Sequence, residues 1–195
     1  GDRIHPVTLE LIGKAKELAG VTGHPVYALF IGHQVRQHAQ ELLAYGVDKV
    51  FVYDYKELAH FAVDLYANAF SDFIEKIKPS SVLVGATNIG RSLAPRVAAR
   101  FETGLTADCT VLEMKENTDL VQIRPAFGGN IMAQIVTPNS RPQFCTVRYK
   151  VFSCPAPSQP HGEIEAMELA PDKLNGDIEV LKVAHKAAEV DISDA

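Results

Sequence analysis

The chain has 195 residues, 47% of them hydrophobic, which suffices for one domain with a real core or one domain plus an appendage. A formal charge of -5 with 22% charged residues argues against a nucleic-acid binder, whose affinity rests on clustered Lys and Arg. No apolar run reaches the roughly 20 residues of a membrane helix, and no signal-type segment opens the sequence.

In chain order, Thr8 to Ala19 reads as a helix capped by Thr8, with Leu9, Ile12, Ala15 and Ala19 on one face. His24 to Gly32 is a short apolar run ending in glycine, a buried strand. The run "QVRQHAQELLAYG" is a helix closed by Gly46 in a left-handed cap. Asp48 to Asp54 is a second buried strand. Leu58 to Lys78 is a long helix stopped by Pro79. Ser81 to Thr87 is a third strand, and "RSLAPRVAARF" is the helix after it. Strands and helices alternate with short connections, so the expected fold is a three-layer α/β/α, Rossmann-like arrangement around a mostly parallel sheet. From Thr106 the pattern changes to short strand-like runs, "CTVLEMK", "LVQIR", "NIMAQIVTP" and "FCTVR", which suit an antiparallel extension. Ser153 to Glu163 has three prolines between Pro155 and Pro160 and reads as an extended, exposed linker. Asp177 to Lys186 is a candidate added strand. The expected division is therefore a domain over 1–152 and a linker with a possible strand over 153–195. A strand–turn–helix unit calls for a strand ahead of Gly1, which would open the winding of the sheet.

Cys109, Cys145 and Cys154 form no CxxC pair, and an odd number closes no disulfide framework. Such thiols fit a reducing compartment, the bacterial cytoplasm or the mitochondrial matrix. His33 and His38 are five apart, on different helix faces, and there is no HExxH, so no metal site is expected.

Two stretches are candidates for a site. In "GATNIGRSLAPR" a strand, a glycine loop and a helix start can present N–H groups to an anion, although no GxGxxG or GxxxxGK[ST] is present. Gly85 and Gly90 are either turn glycines or ligand glycines. With Ser92 as N-cap, Pro95 falls at the third helical position, where it loses no bond. Arg91 then lies in the loop, as a solvated side chain or a contact to phosphate, carboxylate or protein, with Arg96 and Arg100 on the solvent side. Asp108 is a turn aspartate or a base. In "IRPAFGGNIMAQI", Gly128 and Gly129 permit positive φ and Asn130 tolerates it, which makes a turn. Pro125 is expected to break the pairing before it. Neither requires Arg124, which is either an internal ion pair or a group for a flat or anionic partner. No Ser/His/Asp order or nucleophile elbow is present.

The segments "PVTLELIGKAKELA", "GATNIGRSLAPRVAARFETGLTADCTVLE" and "IRPAFGGNIMAQIVTPNSRPQFCTVR" resemble the N-terminal domain of the alpha subunit of electron transfer flavoprotein, over most of residues 4–152. Two positions depart from the family pattern. Ser92 stands where the family usually has aspartate, and Tyr149–Lys150 stand where it has proline and glycine. The resemblance implies the adenine-nucleotide hydrolase-like version of the fold. It also implies a heterodimer with a beta subunit, which carries electrons on FAD from dehydrogenases, such as the acyl-CoA dehydrogenases of fatty acid oxidation. The acceptor is a quinone reductase or a ferredoxin-type protein, and some members bifurcate electrons. FAD is implied to sit mainly in a C-terminal domain absent here, so this chain alone is not expected to hold it tightly or to supply catalytic residues. The residues implied to face the beta subunit near its flavin or nucleotide are Arg124, Thr87, Asn88, Arg91, Phe127, Gly128, Gly129 and Asn130. A second hypothesis is a stand-alone adenine-nucleotide-binding module of the stress-protein or hydrolase-like kind, built on Gly85–Gly90. A third is an interaction domain with no ligand.

Overall fold

A computed structural model describes residues 4–176, 178 and 180–184. Helix α1 (Pro6–Thr22) begins two residues before Thr8, because Pro6 has the φ a first helical position needs and the His5 ring accepts from the Val7 N–H at 3.2 Å. Its buried apolar residues are Val7, Leu11, Ile12 and Leu18; of the expected face Ile12 is among them, while Leu9, Ala15 and Ala19 are half-buried. Gly23, at φ 71°, closes it by donating to the Ala19 carbonyl. Strand β1 (Tyr27–Gly32), helix α2 (Arg36–Leu43) and strand β2 (Lys49–Asp54) follow. Helix α2 ends at Leu43, and the positive φ of Gly46 belongs to the turn beyond it. The expected long helix is split. A short 3-10 turn at Lys56–Leu58 precedes α3 (Val63–Ile77), and Lys78, not Pro79, ends α3 in the left-handed region. Strand β3 (Ser81–Gly85) leads into α4 (Asn88–Arg100).

The second half departs further from expectation. Leu105–Cys109, with Asp108 read from the sequence as a turn aspartate or a base, is strand β4, with a register shift between Thr106 and Cys109. Strands β5 (Val111–Met114), β6 (Leu120–Ala126) and β7 (Ile131–Ile135) form an antiparallel sheet in that order. Strand β8 (Gln143–Val147), expected in that extension, instead runs parallel between β3 and β4. All five of its residues are buried, as befits a strand with neighbours on both sides and helices on both faces. A further strand, β9 (Glu163–Ala166), pairs parallel with β2. The strand expected at 177–186 lies partly outside the described residues, and 178 and 180–184 carry none. The proline-rich stretch is exposed but tethered, since the Ser158 N–H donates to the Ala44 carbonyl at 2.7 Å.

Strand parity sorts the core into layers. Leu29, Ile31, Phe51, Tyr53, Val82, Val84 and Phe144 point to the side covered by α3 and α4. Ala28, Phe30, Val50 and Val52 point to the opposite side, under α2 and Ile12 of α1. Leu83, Cys145, Val147, Leu112 and Leu120 pack beneath Val7, Leu11 and Leu18 of α1. Helices α1 and α2 thus cover one face, α3 and α4 the other, as in a doubly wound sheet. Strands β1 and β3 each pair on one side only, with β2 and β8 respectively, and stay partly exposed along most of their length.

Candidate functional site

The loop after β3 and the end of β4 lie together. Thr87, not Ser92, is the N-cap of α4, and its hydroxyl accepts from the Gly90 N–H at 3.1 Å. Ser92 sits one turn inside and donates to the Asn88 carbonyl at 3.0 Å. Pro95 is therefore in the helix interior, where it withholds a bond from the Arg91 carbonyl. Gly90 has a packing reason to be glycine, because a Cβ there would collide with the Gly85 carbonyl oxygen. It brings helix against strand.

Arg91 lies in the first turn of α4, and its guanidinium is 3.0 Å from Asp108 Oδ1. The pair is off line for a hydrogen bond, so it is a charge contact. Asp108 is held in the left-handed region at φ 58°, and its N–H donates to Thr146 Oγ1 at 3.0 Å. Its carboxylate is thus engaged by Arg91, and nothing about it marks a base. Arg96 is exposed, while Arg100 reaches back to Asn68 and Ser71 of α3 at 3.0 and 3.3 Å.

Arg124 stands on β6, half-buried, and makes no ion pair among the described residues. Its one side-chain hydrogen bond among the described residues is from Nε to the Pro125 carbonyl at 3.4 Å. The preceding residue, Ile123, accepts from the Thr110 N–H at 2.9 Å, which sets Arg124 near the end of β4, where Asp108 meets Arg91. The Cys109 thiol is held below its usual range by a hydrogen bond from the Cys145 thiol and by Arg124, with burial opposing. The Cys145 thiol is pushed up by its bond to Cys109 and by burial.

The hairpin beyond Arg124 differs from expectation in two ways. Pro125 does not break the pairing, and β6 continues through it opposite Met132. Strand β5 has already ended at that level, so the missing N–H has no neighbour to disappoint. At the tip Gly128 and Gly129 have φ of 68° and 91°, but the third left-handed residue is Phe127, at 48°, and Asn130 is at -77°. An aromatic in that region is uncommon and strained. Phe127 is also 81% exposed, and Ile131 and Met132 are each more than half exposed. Exposed apolar residues thus gather at the hairpin tip. Among the described residues no hydrogen bond or ion pair joins Phe127–Asn130 to Thr87 or Asn88; of the expected site residues, Arg91 at the end of β4 and Arg124 on β6 lie on the facing sides of the two halves.

Several residues escaped the sequence reading. The Glu10 carboxylate, on α1, accepts from the N–H groups of Lys150, Val151 and Phe152 at 2.9–3.3 Å and fixes the loop after β8. Gln122 is fully buried two residues before Arg124, and neither amide atom has a partner among the described residues. Cavities of about 440 and 370 Å³ lie beside Lys14 and Phe152 and beside Ser71 and Lys173, away from Arg124. No helix among the described residues is long and apolar enough to cross a membrane.

The family model of the electron transfer flavoprotein domain matches residues 1–190. Subunit LctC of a lactate dehydrogenase (NAD(+),ferredoxin) from Acetobacterium woodii is 68% identical over 194 residues, covering 99% of this chain and 46% of that protein. The alpha subunit of electron transfer flavoprotein from Megasphaera elsdenii is 42% identical, covering 98% of this chain and 58% of that protein. The electron transfer subunit beta of an acryloyl-CoA reductase from Anaerotignum propionicum is 42% identical, covering 71% and 44%. The chain spans about half the length of these relatives. It belongs to the electron transfer flavoprotein family and is of the alpha-subunit kind.

Proposed function

We propose, from that membership, that this chain is the docking base of a flavin electron carrier, with the β6–β7 hairpin and Arg124 facing a beta-type subunit near its flavin or nucleotide. The observation that carries the reading is Arg124, a half-buried guanidinium with no carboxylate partner among the described residues, beside an exposed apolar tip. Its planar N–H donors and fixed charge fit a phosphate or an anionic reduced flavin. Phe127 and Met132 supply the apolar anchors that interfaces use. Flavin, when bound in the complex, supplies the redox chemistry, and this chain's part is position and charge. FAD in this reading is held chiefly by a domain outside these 195 residues. The carrier takes electrons from a dehydrogenase and passes them to a quinone reductase or a ferredoxin-type acceptor; the name of the lactate dehydrogenase (NAD(+),ferredoxin) relative supports the dehydrogenase and the ferredoxin.

The test is a complete alpha chain assembled with its beta partner, carrying Arg124→Ala. We expect a shifted flavin potential and partner affinity weakened about tenfold. An unchanged spectrum, potential and affinity would sink the role of Arg124. The chain alone should be colourless, with no flavin band near about 450 nm. Micromolar binding of AMP or ATP without a partner would favour the stand-alone nucleotide module instead.

A further inference from the structure

The segment after β9 runs back across α3. The Met167 N–H donates to the Val52 carbonyl and the Leu169 N–H to the Tyr55 hydroxyl, each at 2.8 Å. Both side chains are buried in the core beneath α3. Two residues of α3 then grip the backbone that follows. Lys76 Nζ donates to the Glu168 carbonyl at 2.8 Å, and Asn68 Nδ2 to the Lys173 carbonyl at 2.9 Å. A further hold is ionic, with Lys173 Nζ 3.0 Å from Asp72 Oδ1 and 3.5 Å from Glu75 Oε2.

The two ends of this segment are held by different physics. At Met167 and Leu169 the hold is apolar burial plus backbone hydrogen bonds, which salt does not weaken. The turn at Pro171–Leu174 fully buries no residue: Leu174 packs partly buried against the core, Asn68 holds the Lys173 carbonyl, and the charged hold is Lys173, whose side chain is 33% exposed. An exposed ammonium is screened by salt, whereas the carboxylate it meets is prepared for it. The Asp72 side chain is only 8% exposed, and besides Lys173 it takes Lys76 at 2.7 Å and the Tyr53 hydroxyl at 2.6 Å. Those two contacts keep Asp72 ionised and fixed when Lys173 leaves, so the socket survives each opening.

We propose that residues 167–174 form a two-stage strap, seated at Met167–Leu169 and latched by Lys173 on Asp72, which holds the turn at Pro171–Leu174 against α3 until the latch opens. The point of release is thus at Pro171–Leu174, beyond the proline-rich stretch at 153–163. The latch is a property of this chain and does not rest on the proposed function.

Hydrogen exchange on the 195-residue chain tests it, with Lys173→Ala and Lys173→Arg beside the unaltered protein. The Lys173 and Asn175 N–H groups, bonded to the Ala170 and Asp172 carbonyls at 2.9 and 3.3 Å, report the turn. In Lys173→Ala their exchange should rise about tenfold or more, while Met167, Leu169 and α3 keep their rates. Lys173→Arg should restore protection, and about 0.5 M salt should mimic the alanine variant in the unaltered chain. Unchanged exchange in Lys173→Ala overturns the latch. So does a rise shared equally by Met167, Leu169 and α3, because the strap would then be one piece of core. No flavin enters this measurement, so a failure of flavin binding in the assembled complex bears on the proposed function alone.

Discussion

Two buried glutamines separate the parallel core from the antiparallel hairpin sheet. Gln143, on β8, uses its whole amide: Oε1 accepts from the Leu120 N–H at 2.8 Å, and Nε2 donates to the Thr118 carbonyl at 2.7 Å. Gln122, on β6, is equally buried, and neither of its amide atoms has a partner among the described residues. The same contrast holds for apolar side chains. Strand β8 is buried throughout, whereas the far ends of β6 and β7 leave Ile131, Met132 and Phe127 in solvent. The described residues complete the parallel core, while on the hairpin sheet they leave apolar surface and a cation uncovered. The difference is what the proposed interface on the hairpin, with a scaffold beneath it, would require.

Mutations can break that contrast from either side. The largest effect is expected in the core. Phe144, fully buried and edge-on to Phe70 at 6.1 Å, should cost about 3–5 kcal/mol as Phe144→Ala, read by urea unfolding. Next come the glutamines, with opposite signs. Gln143→Met strands the buried Leu120 N–H and should destabilise by about 1–3 kcal/mol. Gln122→Met removes an unpaired buried amide and should stabilise, by up to about 1 kcal/mol. Two destabilisations of equal size would dissolve the distinction.

A pH series sharpens the core side. Burial raises the Asp72 carboxyl, but hydrogen bonds from Lys76, Tyr53 and Lys173 outweigh it and hold the group below its usual 3.8. A depressed folded-state value means that the stabilisation is fully present above the unfolded value. It is lost as pH falls below 3.8 and through the folded one. Urea midpoints of the unaltered chain and Asp72→Asn should therefore diverge above about pH 5 and converge in acid. The smallest effect on stability is expected at the hairpin tip. Phe127→Ala should shift folding by no more than about 0.5 kcal/mol, yet weaken binding to a beta-type partner by about tenfold or more. A large folding defect there would mean the tip belongs to the core.

The winding was legible because its signals are local. Apolar runs of strand length, amphipathic helices and short turns between them place β1, β2, β3, α1, α2 and α4 within a few residues. Helix starts were less legible, since Thr8 and Ser92 look as good as His5 and Thr87 until the backbone is seen. Strand β4 was missed because Asp108 sits within "LTADC" and a register shift interrupts it. Strand β9 hid in the charged alternation "EIEA" behind a proline-rich stretch.

By itself the sequence determined an alternating α/β fold, its family and a glycine turn carrying an arginine and an aromatic, because these depend on residues close along the chain. The tertiary structure decided where β8 sits, since a strand's neighbours come from distant segments and its own five residues do not name them. It also decided which arginine is engaged. Asp108 meets Arg91 at the end of β4 and leaves Arg124 without a carboxylate among the described residues, a choice between two cations made by the geometry of β4, α4 and β6.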